Sequence, residues 1–355
     1  MRRAKDGAAL DSLLALAVPL LKQAEQLCPR TGPGRRPTIA DWQMAGLIML
    51  AVLKRRKSKS AQYRYLQADR ERWQEWLRLA QLPARSTYFD RYRRAHRILQ
   101  RALYLHSLQA QSEVRCAPQI VAVDKSVILT RGPAWTKHQR RRGERRAGVD
   151  CEAGWTYSAH HGWQYGYGYE VVVTAGKDGL IWPWFASVEP ANQAECRLFA
   201  AKIPLLPAQT RYVLADKGYD SNALGEAIEH DQQGLRTGRR FLCPQIYRRG
   251  EHRRPRPNYP VPRGRRVQRL RREQRRRFLE TPRGRRLFAR RGATVEPFHQ
   301  WFKSAFELEA RCWHRGLDNN RTQILAALFA YQLLLRTNCR FGQHNNQIAW
   351  LLDGL

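Results

Sequence analysis

Apolar residues in the first third of the chain recur at helical spacing. Leu10, Leu13, Leu14 and Ala17 lie three or four positions apart, as on the buried face of a helix. Comparable spacing continues through further short segments to about residue 110. The pattern predicts an all-helical region over residues 1–112.

The last helix predicted in this region is basic. After Pro83, Ser86 and Thr87 are suited to cap a helix running from Tyr88 to about Leu105. Short helices that end on a basic helix are typical of a helix-turn-helix motif, whose last helix reads the major groove of DNA. A basic helix face exposed to water gives the same pattern, so both interpretations stay open. On the first interpretation, the arginines that contact DNA are Arg85, Arg91 and Arg94.

From about residue 115 the apolar pattern becomes strand-like. Residues 163–173 alternate between aromatic or aliphatic side chains and small or polar ones, which predicts a strand. Residues 179–188 form a second apolar run, which we expect to pair antiparallel with the first across a glycine-containing turn. Rings exposed on the first strand could stack on nucleic-acid bases, although packing in the core is the commoner use of such a stripe.

Two further apolar runs each end on an aspartate. Residues 119–123 lead into Asp124, and residues 211–215 lead into Asp216, after which a Lys-Gly turn begins a helix. Hairpin strands followed by alternating helix and strand predict a mixed sheet with helices on both faces. We therefore expect an α/β protein with an RNase-H-like sheet, preceded by an all-α, helix-turn-helix-like region.

Glu296 supplies a third acidic position, within a segment whose Val295, Phe298 and Phe302 fall on one helical face. A single aspartate at a strand end more often caps a turn or a helix. Three carboxylates held by a sheet and a helix instead indicate a divalent-metal site. Mg²⁺ and Mn²⁺ prefer hard oxygen ligands, and a site holding two such ions serves cleavage and transfer of phosphodiesters.

The composition changes abruptly over residues 245–291, which are rich in arginine and proline and poor in aliphatic residues. Such a segment buries little of itself, although residues 264–278 are compatible with a very basic helix. Runs of one charge are often only a solvated face. A run as dense as this one repels itself, which favours contact with a phosphate backbone. The arginines we expect to make that contact are Arg271, Arg272, Arg275 and Arg276.

The net charge of the whole chain supports a polyanionic partner. At +34, with an isoelectric point near 10.9, the surface attracts nucleic acid through counterion release. No apolar run approaches the roughly 20 residues that a membrane-spanning helix needs, and the start of the chain lacks the features of a secretory signal. We expect a cytoplasmic, nucleoid-associated protein without membrane contact. Seven scattered cysteines indicate neither a disulfide framework nor a zinc site.

The acidic segments together resemble the catalytic segments of DDE transposases from bacterial insertion sequences. The matching motifs are Asp124-Lys-Ser, Asp216-Lys-Gly-Tyr-Asp-Ser, and Glu296-Pro-Phe followed by Lys303, with connecting motifs at 162–167 and 190–192. The resemblance covers residues 120–338. It implies that Asp124, Asp216 and Glu296 bind two Mg²⁺ or Mn²⁺ ions per active site, and that Lys303 holds a DNA phosphate.

The sequence departs from the family pattern just before the glutamate. The family's arginine four residues ahead of it is Gly292 here, and Arg291, one place earlier, is the candidate for that DNA contact. Relatives that form hairpin intermediates carry a β-rich insertion in this region, where the present chain has a short arginine-rich stretch. The sequence therefore gives no basis for a hairpin intermediate.

The resemblance implies a transposase that cleaves transposon-end DNA and joins its 3′-hydroxyl ends to target DNA. Its partners would be duplex DNA, both terminal inverted repeats and target, and a second copy in a homodimer. Two alternatives stay open: a metal-dependent nuclease of the same fold without strand transfer, and a non-catalytic DNA-binding protein derived from a transposase. We expect a helical DNA-binding region at 1–112, a catalytic domain at 113–340 with an insertion at 245–291, and a tail at 341–355.

Overall fold

The first third of the chain is helical, as predicted. A computed structural model describes residues 2–29, 37–159, 161–176, 179–246 and 263–354. The helices of this region are α1 (Arg2–Gln26), α2 (Asp41–Leu53), α3 (Lys59–Ala68), α4 (Arg70–Leu77), α5 (Arg85–Tyr92) and α6 (His96–Ala110).

A six-stranded mixed sheet follows the helices. Its strands are β1 (Cys116–Leu129), β2 (Gly154–Ser158), β3 (Gly162–Gly176), β4 (Ile181–Pro190), β5 (Tyr212–Ala215) and β6 (Arg240–Leu242). The long β3 pairs antiparallel with β1, β2 and β4, whereas β5 pairs parallel with both β1 and β6. Val121, Val123, Val171 and Val172 are fully buried, as expected for central strands that are covered on both faces.

Helices cover the sheet and complete the fold. They are α7 (Lys137–Arg141), α8 (Glu195–Ala200), α9 (Asn222–Glu229), α10 (Arg263–Glu280), α11 (Pro282–Ala305), α12 (Leu317–Arg340) and α13 (Ala349–Gly354). The helix α11 packs against β1, β3 and β5, and α12 packs against β3 and β4. This arrangement confirms the predicted α/β class, with an RNase-H-like mixed sheet behind an all-helical N-terminal region.

The basic helix predicted from Tyr88 to about Leu105 is wrong in its bounds. The chain leaves the helix after Tyr92 and begins a second one at His96, so α5 and α6 are separate. The apolar face of α6, including Leu99 and Leu103, is buried against β4 and α12. That face is therefore part of the core, and the other face of the helix is the one that water reaches.

The N-terminal helices share a hydrophobic core with the end of the chain. The helix α12 contacts α1, α2 and α6 as well as the sheet. The backbone N–H of His96 donates to Oγ1 of Thr322 at 3.1 Å, across 226 positions of sequence, and that hydroxyl donates to the Tyr92 carbonyl at 2.8 Å. The helical region and the sheet are thus joined by buried contacts.

The arginine-rich segment is largely helical where the structure describes it. Residues 263–280 form α10, which includes the basic helix expected at 264–278, while residues 247–262 lie outside the described residues. The predicted helix that carries Glu296 begins earlier than expected, at Pro282. Thr281 caps it, its hydroxyl accepting from the Gly284 N–H at 3.0 Å. The end of the arginine-rich segment is therefore continuous with the glutamate helix.

Within the described residues, no helix combines the length and the apolar character that crossing a lipid bilayer requires.

Candidate active site

Asp124 and Asp216 lie side by side at neighbouring strand positions. The parallel register of β1 and β5 pairs Val123 with Ala215, so the next residue of each strand is an aspartate. Asp124 lies within β1 and Asp216 directly follows β5, and the parallel register places these two positions next to each other, so both carboxylates reach one region. The sequence prediction that two strands deliver two carboxylates to one place agrees with this geometry.

Two residues of α11 bring positive or donor groups to these carboxylates. Nη2 of Arg291 lies 3.0 Å from Oδ1 of Asp124 and 4.0 Å from Oδ2 of Asp216. Nε2 of His299 lies 3.5 Å from Oδ2 of Asp124. The Tyr169 hydroxyl lies 2.8 Å from Nδ1 of the same imidazole, within hydrogen-bond distance.

The two aspartates have different electrostatic surroundings. Burial opposes ionisation of Asp124, but the nearby His299 and the Arg291 guanidinium outweigh it, so the pKa of Asp124 lies below its ordinary value. Burial raises the pKa of Asp216, and the negative charge of Asp124 raises it further. The Gly218 N–H donates to Oδ1 of Asp216 at 2.8 Å, which fixes the orientation of this carboxylate.

Glu296, the third predicted acid, is on α11 and is exposed to solvent. Asp124 and Asp216 offer the hard oxygen atoms that Mg²⁺ and Mn²⁺ prefer, and a guanidinium already places positive charge between them. This pair therefore fits a divalent cation. Over the described part of the chain, no group of three or more His, Cys, Asp or Glu side chains is close enough together to hold a metal ion.

Lys125, next to Asp124, is directed into the protein. Its ammonium group pairs with Oε1 of Glu195 at 3.1 Å and donates to the carbonyls of Ala191 at 3.3 Å and Gln193 at 3.1 Å. Its side chain is only 6% exposed. Lys125 thus holds the β4–α8 connection beside the aspartates, and it is not positioned as a free phosphate contact.

Glu195 in turn supports the turn after Asp216. A Cβ atom at Gly218 would lie 2.0 Å from Oε2 of Glu195 and 3.0 Å from Oδ1 of Asp216, so a larger residue there would displace the Glu195 carboxylate. Burial raises the pKa of Glu195, against the opposing effect of Lys125. The Lys125–Glu195 ion pair, which is mostly shielded from solvent, therefore contacts the turn after Asp216.

A second buried charge pair holds the other side of that turn. Lys202 pairs with Glu170 of β3, which is almost fully buried, and the Tyr219 hydroxyl donates to Oε1 of Glu170 at 3.0 Å. Burial raises the pKa of Glu170 and lowers the pKa of Lys202. Tyr219 is three residues after Asp216, so this network positions the turn from the sheet.

The other basic residues predicted to contact DNA have varied surroundings. Lys303 donates to the Val127 carbonyl at 3.0 Å, and burial lowers its pKa. Arg91 is mostly buried and bonds the Ile39 carbonyl at 2.7 Å and the carboxylate of Asp41. Arg85 is exposed and donates to Ser60 Oγ at 3.1 Å, while Arg94 is exposed.

The predicted DNA contacts on α10 are engaged in ion pairs. Arg271 pairs with Glu226, and Arg275 lies 3.2 Å from Glu229, both partners being on α9. Arg272 also pairs with Asp220 at 2.7 Å, and Arg276 pairs with Glu273 at 2.5 Å and with Glu280 at 3.3 Å. Three of these arginines therefore attach α10 to α9 and to the turn after Asp216, and their contact with DNA phosphates stays a prediction.

Sequence reasoning missed His299, Glu195, Glu170 and Lys202. For His299 a signal was available, since it follows Glu296 by three positions and so lies near it on the helix. The other three act through partners distant in sequence, and no local pattern identifies them.

The comparison with protein families gives a match over most of the catalytic region. The family described as the transposase DDE domain matches residues 115–333, well over half of the chain, from just before β1 into α12. Comparisons with curated proteins and with solved structures give no match.

Proposed function

Since this chain belongs to the transposase DDE domain family, we propose that it binds transposon-end DNA, cleaves it and joins the freed 3′-hydroxyl to target DNA. Asp124, Asp216 and Glu296 are the proposed metal-binding residues. The observation that supports this best is the parallel register of β1 and β5, which sets two carboxylates side by side. Cleavage without joining, by a nuclease of the same fold, is the alternative that the experiment below separates.

The chain's own residues prepare this site in three ways. Arg291 and His299 orient Asp124, and the Gly218 N–H orients one oxygen of Asp216 while leaving the other for a ligand. Bound Mg²⁺ or Mn²⁺ would activate the attacking oxygen and stabilise the leaving one. Lys125 pairs with Glu195 and donates to the Ala191 and Gln193 carbonyls, so it positions the backbone beside the aspartates before the reaction begins.

DNA is the proposed partner because of the charge of +34. We assign end-DNA recognition to residues 1–112 and chemistry to residues 113–340, with the insertion at 245–291 and a tail at 341–355. Since two transposon ends must reach one target, the proposed working unit is at least a homodimer. Sedimentation with and without end DNA tests that assembly.

The test uses three isosteric variants: Asp124→Asn, Asp216→Asn and Glu296→Gln. Each removes a charged ligand while keeping the shape of the side chain, so cleavage of end DNA in Mg²⁺ should be abolished and binding should stay near the parent level. Glu309→Gln, an exposed glutamate just beyond α11, is the matched control and should cleave normally.

Products are analysed on sequencing gels with a supercoiled target present. Joined products support a transposase, and cut ends without joining identify the nuclease. If the parent protein shows no metal-dependent cleavage, the interpretation that remains is a non-catalytic DNA-binding protein. Should Glu296→Gln cleave like the parent, Glu296 is not a metal ligand.

A further inference from the structure

Four aromatic rings line one face of the β2–β3 hairpin. The strand register pairs Trp155 with Tyr165 and Tyr157 with Trp163. Burial decreases toward the hairpin tip, from Tyr165, which is 4% exposed, to Tyr157 and Trp163, which are 63% and 69% exposed. The stripe therefore begins in the core and ends as a pair of large rings in solvent.

The outer rings are supported by their neighbours. The Trp163 ring centroid lies 5.5 Å from that of Tyr157 and 6.4 Å from that of Trp155, in edge-to-face arrangements. Trp155 is fixed by its Nε1–H, which donates to the Trp135 carbonyl at 2.8 Å. The exposed pair is thus attached to a rigid base, which reduces the entropic cost when a ligand stacks on it.

A basic loop lies beside this hairpin. The Tyr165 hydroxyl donates to the Asp150 carbonyl at 2.6 Å, which ties the β1–β2 connection to β3. The guanidinium groups of Arg140 and Arg145 lie 5.2 and 5.9 Å from the Trp135 ring centroid. The exposed arginines of this connection are Arg140, Arg141, Arg142, Arg145 and Arg146.

We propose that the hairpin tip binds unpaired nucleobases of DNA, by stacking on Trp163 and Tyr157, with phosphates held by the adjacent arginines. Aromatic rings interleaved with cations in this way are how proteins hold single-stranded nucleic acid, because every base offers a π face and every phosphate a charge. The basic surroundings favour DNA over an apolar protein partner. The inference rests on the proposed function, because the unpaired bases would belong to a single-stranded part of the DNA substrate.

The experiment measures binding to end DNA carrying a single-stranded tail with 2-aminopurine, in Ca²⁺ so that binding is measured without turnover. The parent protein should quench the probe in the tail. Trp163→Ala should abolish the quenching and weaken binding to tailed DNA by roughly 5- to 150-fold, the range for one stacked base. Trp163→Phe should retain part of the quenching and part of the affinity for tailed DNA. Binding to a blunt duplex of the same sequence should not change.

Trp350→Ala is the matched control, because Trp350 is also exposed but lies on α13 near the C-terminal end. It should behave as the parent does. If Trp163→Ala lowers the affinity for tailed and blunt DNA equally, or lowers neither, the stacking site is overturned, while the proposal that the protein binds end DNA is unaffected. A change in sedimentation of free Trp163→Ala would assign the rings to a second copy of the chain and would also overturn it. If the parent binds neither DNA, the proposed function itself fails.

Discussion

Arg291 donates to Asp124, with Nη2 lying 3.0 Å from Oδ1, and the same nitrogen lies 4.0 Å from Oδ2 of Asp216. One guanidinium thus lies close to both carboxylates and partly offsets their repulsion. A divalent cation bound between them would meet the same oxygen atoms, so the arginine and the cation compete for one place.

Arg291→Gln should therefore strengthen metal binding in the absence of DNA. Removing a competing positive charge about 4 Å from a second carboxylate is worth on the order of tenfold or more at a partly screened site. Calorimetric titration with Mn²⁺ measures this affinity. Without metal, the variant should unfold at a lower temperature, because the two aspartates then repel each other.

Arg290→Gln is the control for that experiment, since Arg290 precedes Arg291 in the same helix and is exposed. It should leave the Mn²⁺ affinity unchanged. An Arg291→Gln protein that bound Mn²⁺ no better than the Arg290→Gln protein would show that the guanidinium does not compete with the cation.

Lys125→Met should lower the free energy of unfolding by about 1–3 kcal/mol, because Glu195, whose side chain is 23% exposed, then loses its counter-charge, and the Ala191 and Gln193 carbonyls lose a donor. Adding Glu195→Gln should recover part of this stability, and urea denaturation of the full double-mutant cycle measures the coupling. Lys217→Met alters an exposed lysine next to the other aspartate and should change stability by less than about 0.5 kcal/mol. A stable Lys125→Met protein with weakened DNA binding would instead make Lys125 a phosphate contact.

Substitutions of Arg91 and Arg94 should have different effects, the first on stability and the second on DNA binding. Arg91 is 13% exposed and paired with Asp41, so Arg91→Ala should cost about 1–3 kcal/mol of stability. Exposed Arg94 should contribute to end-DNA preference, and Arg94→Ala should reduce that preference by about 1–3 kcal/mol while stability is unchanged. Thermal unfolding measures the stability of each variant, and competition binding at one salt concentration measures its preference for end DNA. The assignment fails if Arg94→Ala discriminates end from random DNA as the parent does.

The helix α10 offers a comparison between exposed and ion-paired arginines. Arg266 and Arg269 are exposed, and replacing both by Gln should flatten the slope of log affinity against log salt by up to about 0.9 for each phosphate that the pair neutralises. Arg275→Gln should leave that slope nearly unchanged and lower stability, since Arg275 joins α10 to Glu229. Affinity measured at several salt concentrations on random duplex tests both. Equal slopes in the parent and in the double variant would exclude this surface as a backbone contact.

Local patterns predicted much of the sheet and part of the site. Strand-forming runs that lead into Asp124 and Asp216 were recognisable because β-branched residues fill buried strands, although β1 continues past Asp124 to Leu129, and the parallel register brings the two acids together. The basic helix in the arginine-rich segment was likewise predicted, since α10 spans Arg263–Glu280. Each of these features depends on residues close together in sequence.

What could not be predicted depends on partners far apart in sequence. The pattern of α6 shows an apolar face but not that α12 covers it. The number of positive charges in a sequence does not show which of them form ion pairs, because ion pairing is set by the tertiary fold. Arg275 with Glu229 and Lys125 with Glu195 are examples. The sequence thus identifies the basic residues that could contact DNA. The tertiary fold decides which of them are exposed and free of acidic partners.

The packing of α12 has a consequence for how the protein is made. Residues Asn320–Cys339 are almost all buried, and they contact helices that the ribosome releases more than 200 residues earlier, as His96 and Thr322 illustrate with a separation of 226 positions. Until α12 emerges, the nascent helices α2 and α6 lack the part of their apolar cover that α12 provides. Folding should therefore finish only late in synthesis, and during translation the growing chain should be a substrate for chaperones that bind exposed hydrophobic segments.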